Sequence, residues 1–196
     1  MKRNLVTLLM LVFMVAQSTV SAYAQGEQAP KPVAPSMGFR AEFLKQLDDV
    51  EKKTIDLAQA IPQEKYAWRP GEGVRSISEV FMHVAGGNWM IPRNVGVQPP
   101  AGLSRDMEKL MDKPKVVESL KQSFEHVRQA ALNKTDADLD KAAKLFGRDS
   151  TVREVFFALA LHMHEHLGQS IAYARSIGVV PPWTAAREAQ QRPARQ

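Results

Sequence analysis

The sequence of 196 residues contains no cysteine, and no segment shows the alternation of apolar and polar residues that is typical of a half-buried strand. Without cysteine the chain can form neither a disulfide framework nor a thiolate metal site, so any metal must be bound by His, Asp or Glu. Its 44% apolar and 24% charged residues exclude a disordered chain. The length is that of one ordinary globular domain.

The first 24 residues have the pattern of a secretory signal. Lys2 and Arg3 precede an apolar stretch over 5–16, and Ala22-Tyr23-Ala24 matches a small-x-small cleavage site. The alternative is a membrane anchor, but an apolar run of about 12 residues is shorter than the roughly 20 that a spanning helix needs. We therefore expect cleavage near Ala24, a periplasmic or secreted location and no stable membrane anchor.

The excess positive charge lies at the two ends of the chain. The formal charge is +5, of which Lys2 and Arg3 belong to the signal. A polar tail at 184–196 carries three arginines against Glu188. Because no aromatic residues interleave these arginines for stacking on bases, we expect no nucleic-acid partner. The resulting domain prediction is a signal at 1–24, a flexible linker at 25–36, a folded domain at 37–183 and a disordered tail at 184–196.

Two stretches have strong helical periodicity, and two more have helix start signals. Apolar residues recur every three or four positions over 39–60 and 112–132. The capping-box patterns Ser76-x-x-Glu79 and Thr151-x-x-Glu154 predict two further helices, of which the second ends near Gly178. Four such helices predict an all-α protein, a four-helix bundle with long crossover loops.

The segment between the third and fourth helices is less regular. Residues 135–144 are compatible with a short helix, and residues 145–150, which include Gly147, predict a turn.

Three of the five histidines fall within five residues. His162 and His166 are one helical turn apart, so both imidazoles can reach one metal ion, whereas His164 points to another side of the helix. Both also lie on the apolar stripe, where an unpartnered polar group is costly. The alternatives are core histidines that neighbouring carbonyls satisfy, or a solvated helix face. His83, amid apolar neighbours, is the best candidate for a third ligand, while His126 is expected at the surface.

Several motifs together resemble those of the DinB/YfiT-like superfamily, and the likeness spans residues 39–183. The motifs are Trp68-Arg69-Pro70, the segment from Ser76 to His83, His162-x-x-x-His166-x-Gly168-Gln169, and Arg175-x-x-Gly178-x-x-Pro181-Pro182-Trp183. The resemblance implies an up-down-down-up bundle, often a homodimer, with a divalent metal on three histidines. By that likeness the ligands are His83, His162 and His166.

Three neutral imidazoles leave coordination positions open to water or substrate, as in catalytic sites. They suit Zn, Ni, Fe or Mn, and also Cu, so the sequence does not identify the metal. Gln169 is placed to bind a water or substrate or to support a metal ligand, and Gly168 to permit close helix packing. Tyr66, Trp68 and Asn88 are candidates for the mouth of the site, with packing or a lid as the alternative.

The resemblance implies a metal-dependent activity on a small molecule. Characterised relatives include thiol S-transferases and maleylpyruvate isomerases that use low-molecular-weight thiols. This chain departs from them in its export signal, because such thiols are kept reduced mainly in the cytosol. We therefore expect an exported hydrolase or group transferase that acts on a small-molecule substrate. The alternative is a non-catalytic protein that binds metal or a small ligand.

Overall fold

The computed structural model describes residues 33–191. The predicted signal and most of the predicted linker lie outside the described residues, as do residues 192–196. Over the described range the chain is mainly helical, which confirms the all-α prediction. The elements are α1 (Gly38–Ala60), α2 (Ile77–Met90), α3 (Lys113–Leu132), β1 (Ala142–Leu145), β2 (Arg148–Thr151), α4 (Val152–Ser176) and α5 (Pro182–Gln191).

The predicted helix starts are formed by local side-chain caps. Ser76 accepts a hydrogen bond from the Glu79 amide, and the Glu79 carboxylate accepts one from the Ser76 amide at 2.6 Å, which is the predicted capping box. At α4 only half of the second box forms. Thr151 accepts from the Glu154 amide, but the Glu154 carboxylate accepts from the hydroxyl of Ser150 at 2.8 Å. A nearer hydroxyl therefore replaces the expected backbone donor.

Helices α1 and α3 are antiparallel, since contacts join opposite ends of the two. The Arg40 side chain, near the start of α1, donates to the Ala131 carbonyl near the end of α3. Lys113, the first residue of α3, donates to the carbonyls of Gln59 and Ile61 where α1 ends. A lysine at this position satisfies carbonyls that have no partner within their own helix.

Helices α2 and α3 run in the same direction. Ser78, near the start of α2, donates to the Leu110 carbonyl just before α3, and Asn88, near the end of α2, donates to the Ser123 hydroxyl at 3.2 Å. Two parallel neighbours require a connection that returns along the bundle, which is the role of the long segment 91–112.

Helix α4 completes an up-down-down-up bundle. Rings near the starts of α1 and α4, those of Phe43 and Phe156, lie 5.0 Å apart. Trp68, which precedes α2, lies 5.6 Å from Tyr173 near the end of α4, so α4 runs opposite to α2 and in the same direction as α1. The apolar stripes of all four helices meet in one core. Within residues 33–191, no helix combines the length and the apolar character that crossing a bilayer would require.

The connection between α3 and α4 differs from the prediction. Residues 142–151 form an antiparallel hairpin in which Leu145 pairs with Arg148, and only Asp136–Asp138 form a short 3-10 turn. The predicted short helix over 135–144 is therefore wrong. The period-two signal is weak because Leu145 is the one buried side chain of the two strands.

The hairpin turn consists of Phe146 and Gly147, at the place where a turn was predicted. Both have left-handed backbones, with φ of 50° and 81°. This geometry favours Asn or Gly at both positions, and a side chain such as Phe pays about 1–2 kcal/mol to adopt it.

The C-terminal segment also differs from the prediction. Residues 182–191 form helix α5, so the expected disordered tail is wrong at least to Gln191. Pro182 is pre-organised for a first helical turn, and the following alanines and glutamines favour a helix. Thr184 is the buried residue of this helix, which is why its apolar pattern in the sequence is faint.

Candidate metal centre

The structure brings His83 of α2 together with His162 and His166 of α4. The Nε2 atoms of His83 and His162 lie 3.3 Å apart. The ring of His166 is centred 4.7 Å from each of the other two rings. One nitrogen from each imidazole can be chosen so that all three lie within 4.8 Å of one another, and all three residues are half-buried.

A glycine in α2 makes room for this cluster. A Cβ atom at Gly87 would lie 2.3 Å from Cε1 and 2.9 Å from Nδ1 of His162. The imidazole of His162 therefore occupies the space that any other side chain at position 87 would fill. The sequence interpretation assigned close packing to Gly168 instead, but a Cβ there would meet no atom within 4 Å.

The outer nitrogens of two histidines are held by neighbouring side chains. Nδ1 of His83 lies 2.9 Å from Oε1 of Glu108, whose Oε2 accepts from Arg75 at 3.0 Å. A carboxylate can only accept here, so the proton belongs on Nδ1 and the Nε2 lone pair of His83 faces the cluster.

His166 is held in the same way by an amide. Its Nδ1 lies 2.8 Å from Oε1 of Gln169, and the Gln169 amide nitrogen donates to the Tyr173 hydroxyl at 3.0 Å. Because the amide nitrogen is engaged by Tyr173, the oxygen faces His166 and accepts its Nδ1 proton. The amide of Gln169, which was predicted to bind a water or substrate or to support a metal ligand, is engaged with His166 and Tyr173.

The surroundings favour neutral imidazole at His162. Burial, together with the neighbouring His166, His83 and Arg75, lowers its pKa to about 4. Burial tends to raise the pKa of the Glu108 carboxyl, but hydrogen bonds from His83 and Arg75 outweigh it and the pKa lies below its usual range. At neutral pH the cluster therefore holds an uncharged His162 beside an ionised Glu108.

The geometry fits a metal ion. Two nitrogens that each bind one ion at about 2.0–2.1 Å with tetrahedral angles lie about 3.3 Å apart, as the Nε2 atoms of His83 and His162 do. Three inward-facing imidazoles so close together could hold a divalent cation. They belong to the three residues that were predicted from the sequence as metal ligands.

A cavity of about 750 Å³ opens beside the cluster. His83, His162 and Glu108 form part of its wall, so two of the three histidines are accessible from it. The remainder of the wall comes from the end of α2, the crossover segment and the hairpin turn, and consists of Gly86, Gly87, Met90, Ile91, Pro99, Pro100, Gly102, Leu103, Ser104, Met107 and Phe146.

The residues predicted at the mouth of the site lie elsewhere. Tyr66 is fully buried and donates to the Ala58 carbonyl at 2.8 Å, and Asn88 is buried against α3, so neither lines the cavity. Trp68 is half-buried with its ring edge-on to Tyr173, 5.6 Å away. It touches the residue that holds Gln169, and its role is packing, which was the alternative interpretation.

The two remaining histidines are outside the cluster. His164 is exposed on α4, as its position on the helix predicts. His126 was expected at the surface but is half-buried, and burial lowers its pKa while a hydrogen bond with the Trp89 backbone partly opposes this. The expectation was wrong because α2 packs over the side of α3 that carries His126.

Sequence reasoning missed Glu108, Arg75 and Gly87. Gly87 is four residues after His83, so a small residue on the same helix face was a usable signal. Glu108 and Arg75 lie in the connections that flank α2, and no periodicity places them beside a histidine.

The fold and the cluster define a class of protein: a helical bundle with a three-histidine group that could hold a metal ion. The family model described as the DinB family matches residues 34–194. The chain belongs to the DinB family.

Solved structures show the same fold. A DinB-like protein from Bacillus cereus ATCC 10987 superposes with a TM-score of 0.65 at 19% identity, covering 71% of this chain and 93% of that one. A DinB-like protein from Bacillus subtilis gives a TM-score of 0.56 at 19% identity, with coverage of 70% and 92%. A conserved protein from Enterococcus faecalis gives 0.60 at 11% identity, with coverage of 71% and 97%. No curated protein matches the chain.

The contact between Gly87 and His162 makes a prediction about stability. We expect Gly87→Ala to lower the free energy of unfolding by about 1–3 kcal/mol, because the new Cβ must displace the imidazole. Gly86→Ala is the matched control, since its Cβ would meet Met107 at 3.7 Å, an ordinary contact. It should be neutral or stabilising by up to about 1 kcal/mol. Urea denaturation of both variants measures this, and equal effects would contradict the close approach.

Proposed function

We propose that this chain is an exported DinB-family metalloprotein in which His83, His162 and His166 hold one divalent cation and act on a small molecule. The observation that carries the proposal is the three-imidazole cluster beside a cavity whose wall includes His83 and His162. A structural metal site is normally closed by four protein ligands, whereas three ligands leave a position for water or substrate. Three imidazoles close enough to hold one ion, together with access from the cavity, support a reactive site.

The side chains around the cluster support this role. Glu108 and Gln169 hold the outer nitrogens of His83 and His166, which orients the inner lone pairs and makes the imidazoles stronger ligands. A divalent ion bound there would lower the pKa of a bound water or polarise a substrate carbonyl. The all-nitrogen ligand set suits Zn, Ni, Fe or Mn. Hydrolysis or group transfer is the reaction class that such a site serves best.

A second candidate function is non-catalytic binding of a metal or a small ligand. One observation favours it: Glu108 is the carboxylate in the described wall of the cavity, and both of its oxygens are engaged, by His83 and by Arg75. A general base must be within reach of a substrate proton and free to accept it. Turnover distinguishes this candidate from the first.

The location outside the cytoplasm rests on the sequence. The charged start, the apolar stretch over 5–16 and the Ala22-Tyr23-Ala24 site support cleavage after Ala24.

We expect natively purified protein to contain one divalent ion per chain. His162→Ala and His83→Ala should each weaken metal affinity at least 100-fold, because two imidazoles cannot replace three. His164→Ala is the matched control, an exposed histidine on the same helix, and should retain full metal content. Elemental analysis and competition with a chromogenic chelator measure both quantities. Equal metal content in all four proteins would contradict the proposed ligands.

Turnover should depend on the metal. We expect the metal-loaded protein to convert members of a panel of esters, lactones and thiol-transfer substrates, and His162→Ala or chelation to reduce kcat/KM at least 100-fold. Restoring the metal should restore the wild-type rate. A fully loaded protein that is inactive across the panel would favour the binding function instead.

Export can be tested separately. Expressed with its own N-terminus in a Gram-negative host, the chain should appear in the periplasm or medium with Gln25 as its first residue. Mass spectrometry of the intact protein measures the cleavage site. A cytoplasmic protein that retains residues 1–24 would refute the export proposal without affecting the metal site.

A further inference from the structure

The wall of the cavity beyond the histidines is built from apolar groups. Three parts of the chain contribute: the end of α2, the crossover segment 99–107 and the hairpin turn. The polar side chains of this wall already have partners. Ser104 accepts from the Asp106 amide, and Glu108 is bound by His83 and Arg75. The surface that remains for a ligand is therefore mostly hydrocarbon.

Two large apolar side chains of this wall are exposed. Phe146 is 71% exposed and Met90 is 42% exposed, and both line the cavity. Phe146 also occupies a left-handed turn position where Asn or Gly would be more stable. An aromatic residue that is solvent-exposed, conformationally unfavourable and located at a cavity is explained if it contacts a ligand.

We propose that this cavity binds the hydrocarbon chain of a substrate whose oxygen- or sulfur-containing head group reaches the three histidines. The substrate class is a medium-chain acyl or alkyl compound. Phe146 and Met90 cover the hydrocarbon chain, and Gly86 of α2 leaves room for it. The head-group contact rests on the proposed metal function, whereas the chain contacts do not involve the metal. A volume of about 750 Å³ is typical of small-molecule sites.

A homologous series of straight-chain hydroxamates tests the proposal, because the hydroxamate group coordinates divalent metals and the tail varies alone. Calorimetric titration of the metal-loaded protein with aceto-, butyro-, hexano- and octanohydroxamate should show affinity rising about fourfold per methylene group. An affinity that does not change with the length of the hydroxamate would overturn the proposal.

Two variants test where the hydrocarbon chain of the ligand binds. Phe146→Asn should weaken octanohydroxamate binding about tenfold and leave acetohydroxamate unchanged, while thermal stability stays equal or rises because Asn suits the left-handed turn. Phe157→Asn is the matched control, since Phe157 is an exposed aromatic on α4 outside the cavity, and should bind the whole series as the wild type does. Equal losses in both variants would overturn the assignment.

A third variant keeps the test independent of the hairpin. Gly86→Leu places a side chain toward Met107 and fills the cavity. It should therefore abolish the rise in affinity with the length of the hydroxamate, and it should retain acetohydroxamate binding. Undiminished affinity for octanohydroxamate in this variant would overturn the proposal.

Repeating the series on chelator-treated protein separates the two proposals. Weaker binding at every length with the same dependence on length supports both the metal and the cavity. Acetohydroxamate binding that is unaffected by metal removal would contradict the metal function, while the dependence on length would still support the chain site. Analytical sedimentation tests whether a second copy of the protein occupies this face instead. If the wild type is a dimer that Phe146→Asn dissociates, and hydroxamate affinity does not change with chain length, the face is a dimer interface and the proposal is overturned.

Discussion

The packing of α2 against α4 is the constraint on which the site depends. Three imidazoles lie between these helices, and the ring of His162 fits only because position 87 carries no side chain. Neutral imidazoles so placed present lone pairs to one another, which is unfavourable unless a cation or shared protons lie between them. The up-down-down-up arrangement makes this contact possible, because it places α2 beside α4 and antiparallel to it.

The crossover between α2 and α3 serves both the fold and the site. Parallel neighbours require a long return connection, and here that connection supplies Glu108 to His83 and the apolar wall of the cavity. The same feature that closes the bundle thus orients one imidazole and shapes the space in front of it. Chemistry and packing are coupled through this segment, since a shift of the crossover would move both a histidine partner and the cavity wall.

The helices and two of the candidate ligands could be predicted from the sequence, because the signals that determine them act over a few residues. Helix periodicity and caps predicted the four long helices, and the i, i+4 spacing of His162 and His166 needed no tertiary knowledge. Predictions failed where the pattern was weak: the hairpin buries one side chain, and α5 is polar around most of its surface. Tyr66 and Asn88 were misplaced because their residue types suit a site and a core equally well.

By itself, the sequence determined the helical class, the helix starts and the candidate imidazoles, because capping, periodicity and ligand spacing act over a few residues. Only the tertiary structure decided that His83 meets the other two, that Gly87 rather than Gly168 permits the approach, and that Glu108 orients the ring of His83. These are contacts between segments up to 79 residues apart. They depend on how the crossover and the helices pack, and no local pattern in the chain encodes that.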